Sequence, residues 1–253
     1  MELFKSALVE LQSNCNRSCF FCPRYGDRSG KRLDVQGVHT KKEMPTDKAI
    51  KILNDLKDMG FTGPVGFHHM SEPFLDSRVF DFAKLANELG MQPYAHTNGD
   101  VLKAKPELVA SVRLHFHKIV VELYDCSTPT EFDEEEAYWT DTLKGVQVAF
   151  SRVDHVYPRT LTPYDDRMFR EKQEYKTGIC RRPTLRLIIH YTGNMALCCE
   201  DLPETFSLGN AFTTPVSELW GSPRHRSVIA DLDRGDRTAY DLCSRCALPP
   251  QKV

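Results

Sequence analysis

Short apolar runs and helical stripes alternate along the first half of the chain. Ala7 to Leu11 reads as a short strand. Thr46 to Met59 places Ala49, Ile50, Leu53 and Leu56 on one helical face, with Thr46 positioned to cap that helix and Gly60 to end it. Val65 to His69 is the next strand, and Asp76 to Leu89 repeats the stripe through Val79, Phe82, Ala83, Ala86 and Leu89 before Gly90. Pro93–His96, Lys118–Tyr124 and Val146–Arg152 read as further strands, with helical segments near Lys105–Leu114 and Phe132–Lys144. Strands separated by helices predict an α/β fold, a parallel sheet of βα units in an open or partial barrel. In such sheets the chemistry gathers at the carboxyl ends of the strands.

Past residue 180 the pattern changes. Arg186–His190 and Met195–Cys198 are two apolar runs joined by Tyr191-Thr192-Gly193-Asn194, a hairpin signal. Pro215 at a helix start, Leu219-Trp220 and the Val228-Ile229-Leu232 stripe predict two helices after it. The expected division is a core over residues 1–160 and a small domain of hairpin and helices over 161–253.

Composition narrows the function classes. A formal charge of −2 over 253 residues gives no pull toward nucleic acid or an anionic membrane. No stretch approaches the roughly 18 apolar residues of a membrane span, and the start MELFKSALVELQ lacks a signal-peptide core. Nine cysteines therefore read as metal ligands in a reducing cytoplasm rather than as disulfides. The basic segment from Arg24 to Lys42 reads as a surface loop where an acidic electron-donor protein or a phosphate-bearing substrate could dock.

Three of those cysteines, Cys15, Cys19 and Cys22, lie in one loop after the first strand, in the run CNRSCFFCP. Three thiolates can hold three irons of a [4Fe-4S] cluster and leave the fourth iron open; a zinc knuckle is the alternative, although structural zinc takes four ligands. The CxxxCxxC spacing, with the aromatic Phe21 before the third cysteine, resembles the radical S-adenosylmethionine (radical SAM) superfamily. The resemblance implies that SAM chelates the open iron, that its reductive cleavage gives a 5′-deoxyadenosyl radical, and that Phe21 lies near the adenine. The strand-end segment His68-His69-Met70-Ser71-Glu72-Pro73 is similar to the family's Gly-Gly-Glu segment, which receives the SAM ammonium, so Met70, Ser71 and Glu72 are expected to bind SAM. His96-Thr97-Asn98-Gly99-Asp100 resembles the Thr-Asn-Gly segment that approaches ribose or methionine, which implicates Thr97 and Asn98. Strand alternation sends Glu122 to the barrel mouth, where it would touch SAM or substrate, or else leaves it as an edge residue.

Cys180, Cys198, Cys243 and Cys246 form a second set, with Cys126 and Cys199 as spares. Four thiols from three segments can close a metal completely, and zinc would satisfy them. After a radical SAM core, however, Gly193-x4-Cys198 followed by the late CxxC resembles the twitch domain, the shortened form of the SPASM domain. That resemblance implies one auxiliary [4Fe-4S] cluster held by these four cysteines, with Cys198 rather than Cys199 as ligand.

The resemblance extends nearly end to end through GFHHMSEPFL, YAHTNGD, the Cys180 of GIC, GNMALCCED and DLCSRC, and it points to family members that oxidise a secondary alcohol of an aminocyclitol to a ketone. It implies a radical SAM dehydrogenase acting on a carbohydrate or cyclitol, with the auxiliary cluster taking the second electron and flavodoxin or ferredoxin as the electron donor. A strand-exit arginine that helps deprotonate the substrate hydroxyl falls at Arg159, with Arg152 as competitor. Three other readings stand beside it. An epimerase would use Cys126 or Cys199 as hydrogen donor. A peptide-modifying enzyme would usually carry a leader-recognition domain, and only fourteen residues precede Cys15. A non-enzymatic metal-binding module is the last.

Overall fold

The computed structural model describes residues 3–19, 21–22, 42–152, 173–201, 204 and 206–251. Among them, strands β1 (Ser6–Val9), β2 (Pro64–Gly66), β3 (Gln92–Thr97), β4 (Lys118–Leu123), β5 (Gln147–Arg152), β6 (Arg186–Ile189), β7 (Asn194–Ala196) and β8 (Ser207–Asn210) form one sheet in the order β5-β4-β3-β2-β1-β6-β7-β8. Pairing is parallel from β5 to β6 and antiparallel from β6 to β8. Between the strands run α1 (Thr46–Asp58), α2 (Val79–Glu88), α3 (Asp100–Ala104), α4 (Leu108–His115) and α5 (Pro129–Thr142). After β5 come α6 (Arg182–Leu185), α7 (Val216–Leu219), α8 (Pro223–Asp233) and α9 (Asp241–Ser244).

Strand alternation separates two faces. Ala7, Val9, Val65, Ala95, Ile119, Val121, Leu187 and Ile189 join the large core that also holds Ile52, Leu53 and Leu56 of α1, Phe82 and Ala86 of α2, and the fully buried Trp139 of α5. The other face carries a small cluster of Leu8, Tyr94, Ile188 and Ala196, against which Cys199 packs. The helices thus cover one side of the sheet, and its other side is left to line a cleft.

The expected elements are present with shifted bounds, each for a local reason. In α1 the N-cap is Pro45, and Thr46 Oγ1 instead accepts a hydrogen bond from Arg78 Nη1 at 3.0 Å. Ile50 is 39% exposed, and Ile52 takes its place in the buried stripe. Asp76 does not open α2: it is buried and grips Arg78 Nη2 at 2.7 Å, so the helix begins at Val79. The helix expected near 105–114 is α4, which begins only at Leu108, after Pro106; the short α3 before it was not expected. Helix α5 starts earlier than its stripe suggests, because Thr128 and Glu131 form a reciprocal capping box and Pro129 occupies the first turn. Strand β8 was not expected. The hairpin β6–β7 extends the main sheet, since β6 pairs in parallel with β1 through Leu8↔Ile188. The boundary expected between residues 160 and 161 lies outside the described residues.

Gly99, the N-cap of α3, sits at φ +81°, and a Cβ there would meet Trp139 Cζ2 at 2.5 Å. Gly99→Ala is expected to destabilise the fold by about 1–3 kcal/mol through left-handed backbone strain and the displaced indole. Denaturant unfolding measures this, and wild-type stability would show that Trp139 is free to move.

Candidate active site

The loop carrying Cys15, Cys19 and Cys22 leaves the end of β1. It is pinned from below: Gln12 Nε2 donates to the carbonyls of Asn14 and Glu72 at 3.0 and 2.9 Å, and Glu72 N–H donates to Asn14 O at 3.0 Å. From the side, Arg17 bonds both Asp100 at the start of α3 (2.5 Å) and Asp125 beyond β4 (2.7 Å). Arg17 N–H points at Cys15 Sγ (3.5 Å), and Asn98 Nδ2 approaches the same sulfur (3.8 Å). Burial pushes the Cys15 thiol up to about 11, with Glu72 and Cys22 adding to it. Burial together with Cys22 and Cys15 pushes Cys19 up to about 12. Desolvated thiols such as Cys15 and Cys19, whose ionisation Cys22 opposes further, need a positive group among them, which is what an iron–sulfur cluster supplies. The donor set fits such a cluster.

These thiols open into a cleft of about 430 Å³. Phe21, Met70, Ser71, Glu72, Thr97, Asn98 and Glu122, all expected from sequence, line it together. Phe21 packs edge-on against Tyr124, with ring centres 4.7 Å apart. Glu72 is buried and joins two strand ends. Its Oε1 accepts from Thr97 Oγ1 (2.8 Å) and Phe74 N–H (3.2 Å), and its Oε2 accepts from Asn98 N–H (2.9 Å). Burial pushes this carboxyl up to about 7 against those three donors. Ser71 Oγ and Glu122 Oε2 are buried without a hydrogen-bond partner among the described residues, two polar atoms left for a bound molecule.

Other lining residues were not identified from sequence. His96 Nδ1 lies 2.8 Å from Glu122 Oε1, and His68 stacks on His96 with ring centres 4.4 Å apart. His68 Nδ1 accepts the His96 backbone N–H at 3.2 Å, so its hydrogen sits on Nε2; burial, then the neighbouring His96 and Arg186, hold its pKa well below the usual value. Ser151 and Arg186 complete that wall. The period of two along β3 to β6 was the available signal: His96, Glu122 and Ser151 are the inward positions near the strand ends.

Cys180, Cys198, Cys243 and Cys246 come together around a second, small pocket of about 20 Å³ between β7, α8 and α9. Burial pushes Cys198 well up and Cys243 up to about 12, the latter reinforced by Cys246 and Cys180. Arg182 Nη1 approaches Cys180 Sγ (3.7 Å), and Leu248 N–H points at Cys246 Sγ (3.4 Å). Arg237, 1% exposed, lines the same pocket and donates to the carbonyls of Gly178, Tyr175, Leu248 and Ile179. A buried guanidinium beside four thiols balances the negative charge of an all-cysteine cluster, and nothing in the sequence marked it. Cys199 does not face this pocket; it lines the first cleft.

The remaining expected residues lie elsewhere. Cys126 lines an adjoining pocket of about 250 Å³ with Lys103 and Glu135, which shares Arg17, Asn98, Glu122 and Tyr124 with the cleft. Arg152 bonds Glu136 Oε1 at 2.5 Å and stacks over the Phe132 ring, the posture of a structural arginine. Arg159 lies outside the described residues.

Glu72 makes the fold's pH dependence testable. Its carboxyl holds a proton to about pH 7 when folded, against an ordinary value of 4.5, so its contribution to stability is full below 4.5 and is lost as pH rises toward 7. Unfolding of the cluster-free chain should show stability falling across that window by at most about 1.4 kcal/mol per pH unit. Glu72→Gln should flatten the curve, and an unchanged slope would assign it to another group.

Comparison with known proteins agrees with this layout. Residues 180–247 match the SPASM family model, an iron-sulfur cluster-binding domain. The S-adenosyl-L-methionine-dependent 2-deoxy-scyllo-inosamine dehydrogenase of Niallia circulans is 25% identical over 247 residues, 97% of this chain and 93% of that protein. The crystal structure of BtrN in complex with AdoMet and 2-DOIA superposes with a TM-score of 0.76 at 22% identity, covering 97% of this chain and 93% of that one. Native anSMEcpe with bound AdoMet superposes with a TM-score of 0.62 at 10% identity, covering 90% and 83%. The chain therefore has the fold of the radical SAM enzymes and carries a SPASM-type iron–sulfur domain at its C-terminal end.

Proposed function

We propose that this chain is a radical SAM dehydrogenase that oxidises a secondary alcohol of an aminocyclitol or related carbohydrate to a ketone. The observation that carries the reading is the pairing of two sulfur sets of different kind. Three thiols open onto a cleft of about 430 Å³, and four thiols line a small pocket of about 20 Å³. Full-length similarity to a curated SAM-dependent dehydrogenase of an aminocyclitol supports it.

A cluster held by the first three thiols, together with SAM, would supply radical hydrogen abstraction, and one held by the other four would supply an electron acceptor for the oxidation. The chain's own residues bind and orient. Cys15, Cys19 and Cys22 hold the first cluster, and Cys180, Cys198, Cys243 and Cys246 hold the second. Met70, Ser71 and Glu72 receive the amino-acid end of SAM, with Ser71 Oγ as an available polar atom. Thr97 and Asn98 are placed for its ribose or methionine part, and Phe21 for the adenine. Glu122, with one oxygen on His96 and the other buried without a partner among the described residues, takes a hydroxyl or amine of SAM or substrate. Arg159 is the proposed group that draws the hydroxyl proton. The apolar wall of Leu8 and Cys199 keeps water from the reacting carbon.

On this reading the enzyme works in a reducing cytoplasm, with flavodoxin or ferredoxin as electron donor. No described helix is long and apolar enough to cross a membrane. The core over residues 1–160 would hold the radical chemistry, and residues 161–253 the twitch domain.

Anaerobic reconstitution should load about eight irons per chain, two four-iron clusters. Cys198→Ala should lower this to about four, keep reductive SAM cleavage and abolish ketone formation, whereas Cys199→Ala should keep all eight. A Cys198→Ala protein with full turnover would refute the electron-acceptor role. Because Cys199 faces the cleft, the same assay run in deuterated water separates an epimerase: solvent deuterium at carbon with no ketone would replace dehydrogenation by epimerisation.

A further inference from the structure

Behind the cleft wall, three side chains from three strand ends converge. Glu10 follows β1, His69 follows β2 and His190 follows β6, and one ligand atom of each lies within 4.8 Å of the other two. Glu10 and His190 are fully buried, and His69 reaches the cleft. The two imidazoles meet edge to face, with centres 4.9 Å apart.

Hydrogen bonding decides where the protons sit. His190 Nε2 lies 3.2 Å from the carbonyl oxygen of Asp201, and His69 Nε2 lies 3.3 Å from that of Cys199. A carbonyl oxygen only accepts, so each ring carries hydrogen on Nε2, and a neutral ring has its lone pair on Nδ1. His190 Nδ1 faces Glu10 Oε2 at 3.2 Å, an acceptor against an acceptor. Glu10 Oε1 meanwhile accepts the Met70 N–H at 3.0 Å. A cation placed among the three side chains would meet the carboxylate oxygen and the imidazole nitrogens at one point. One proton serves only the Glu10–His190 edge, whereas a divalent cation serves all three groups.

The surroundings match such an ion. In each of the three residues the second heteroatom is held by a backbone group, the arrangement that fixes tautomer and orientation in metal-bound histidines. Two imidazoles and one carboxylate are also a donor set that zinc and non-haem iron(II) accept. We infer that Glu10, His69 and His190 form a divalent-cation site, separate from both cysteine sets, that takes zinc or iron(II). Its ion ties the ends of β1, β2 and β6 together. It also fastens the Cys198–Asp201 loop to the Met70–Glu72 segment through the carbonyls of Cys199 and Asp201.

The test uses the reconstituted holoenzyme, dialysed against zinc and then against metal-free buffer, with metal analysis and zinc X-ray absorption as readouts. The expected result is one zinc per chain with only nitrogen and oxygen neighbours, beside an unchanged iron content. Glu10→Gln keeps the hydrogen bonds, since its amide oxygen accepts from Met70 and its amide nitrogen donates to His190, but it removes the anionic ligand. It should bind zinc at least about tenfold more weakly while its thermal midpoint and iron stay near wild type. Should that variant unfold, His69→Ala at the cleft wall provides the same comparison. Wild-type protein that retains no zinc, zinc with sulfur neighbours, or equal retention by the variants would overturn the site and leave a shared proton in its place. Zinc bound as expected in a protein that builds no clusters would instead sink the proposed function and leave this inference standing.

Discussion

Buried sulfur cannot stay ionised without positive charge beside it. Cys15, Cys19, Cys198 and Cys243 are all driven toward the neutral thiol by burial, and their sister cysteines drive them further. A fold that packs seven cysteines into two such groups is stable in that form only as protonated thiols or around cationic metal. Among the described residues, the protein's own contributions to these groups are partial charges and guanidinium groups. Backbone N–H of Arg17 and the Asn98 amide serve the first, and Arg182, Arg237 and the Leu248 N–H serve the second.

The sheet sets the strands that lead to the two groups side by side. Strand β6 pairs with β1, so the hairpin that carries Cys198 lies beside the loop that carries Cys15. Cys198 and Cys199 then face different pockets from adjacent positions, one toward the four-thiol pocket and the other toward the cleft. The Cys199 carbonyl accepts from His69, one residue before Met70, so a short covalent and hydrogen-bonded path links the two sites. The four-thiol pocket has no room for a substrate, whereas the cleft has.

Much of the layout was legible in the chain. The cysteine loop follows a strand, the Met70–Glu72 and Thr97–Asn98 segments follow the next two, and all of them line one cleft. Local signals sufficed there, because a parallel sheet places every strand end on the same edge. Bounds were lost where tertiary contacts outweighed propensity: Asp76 was taken from a helix start by Arg78, and Thr46 from its cap by the same guanidinium. Ile50 fell outside the core because Ile52, not Ile50, continues the buried stripe through Ala49, Leu53 and Leu56.

The amino-acid order alone determined the alternation of strands and helices and the gathering of Cys15, Cys19 and Cys22 in one loop, since these depend on neighbours within a few residues; the second sulfur set, drawn from three distant segments, was legible only through a resemblance. Only the folded chain decided that β6 lies against β1, that Arg237 is buried among the late cysteines, and that Glu10, His69 and His190 meet. Those residues stand tens to more than a hundred positions apart. Periodicity reports which face a side chain occupies; it carries no information about which distant segment will supply the opposite charge or the missing donor.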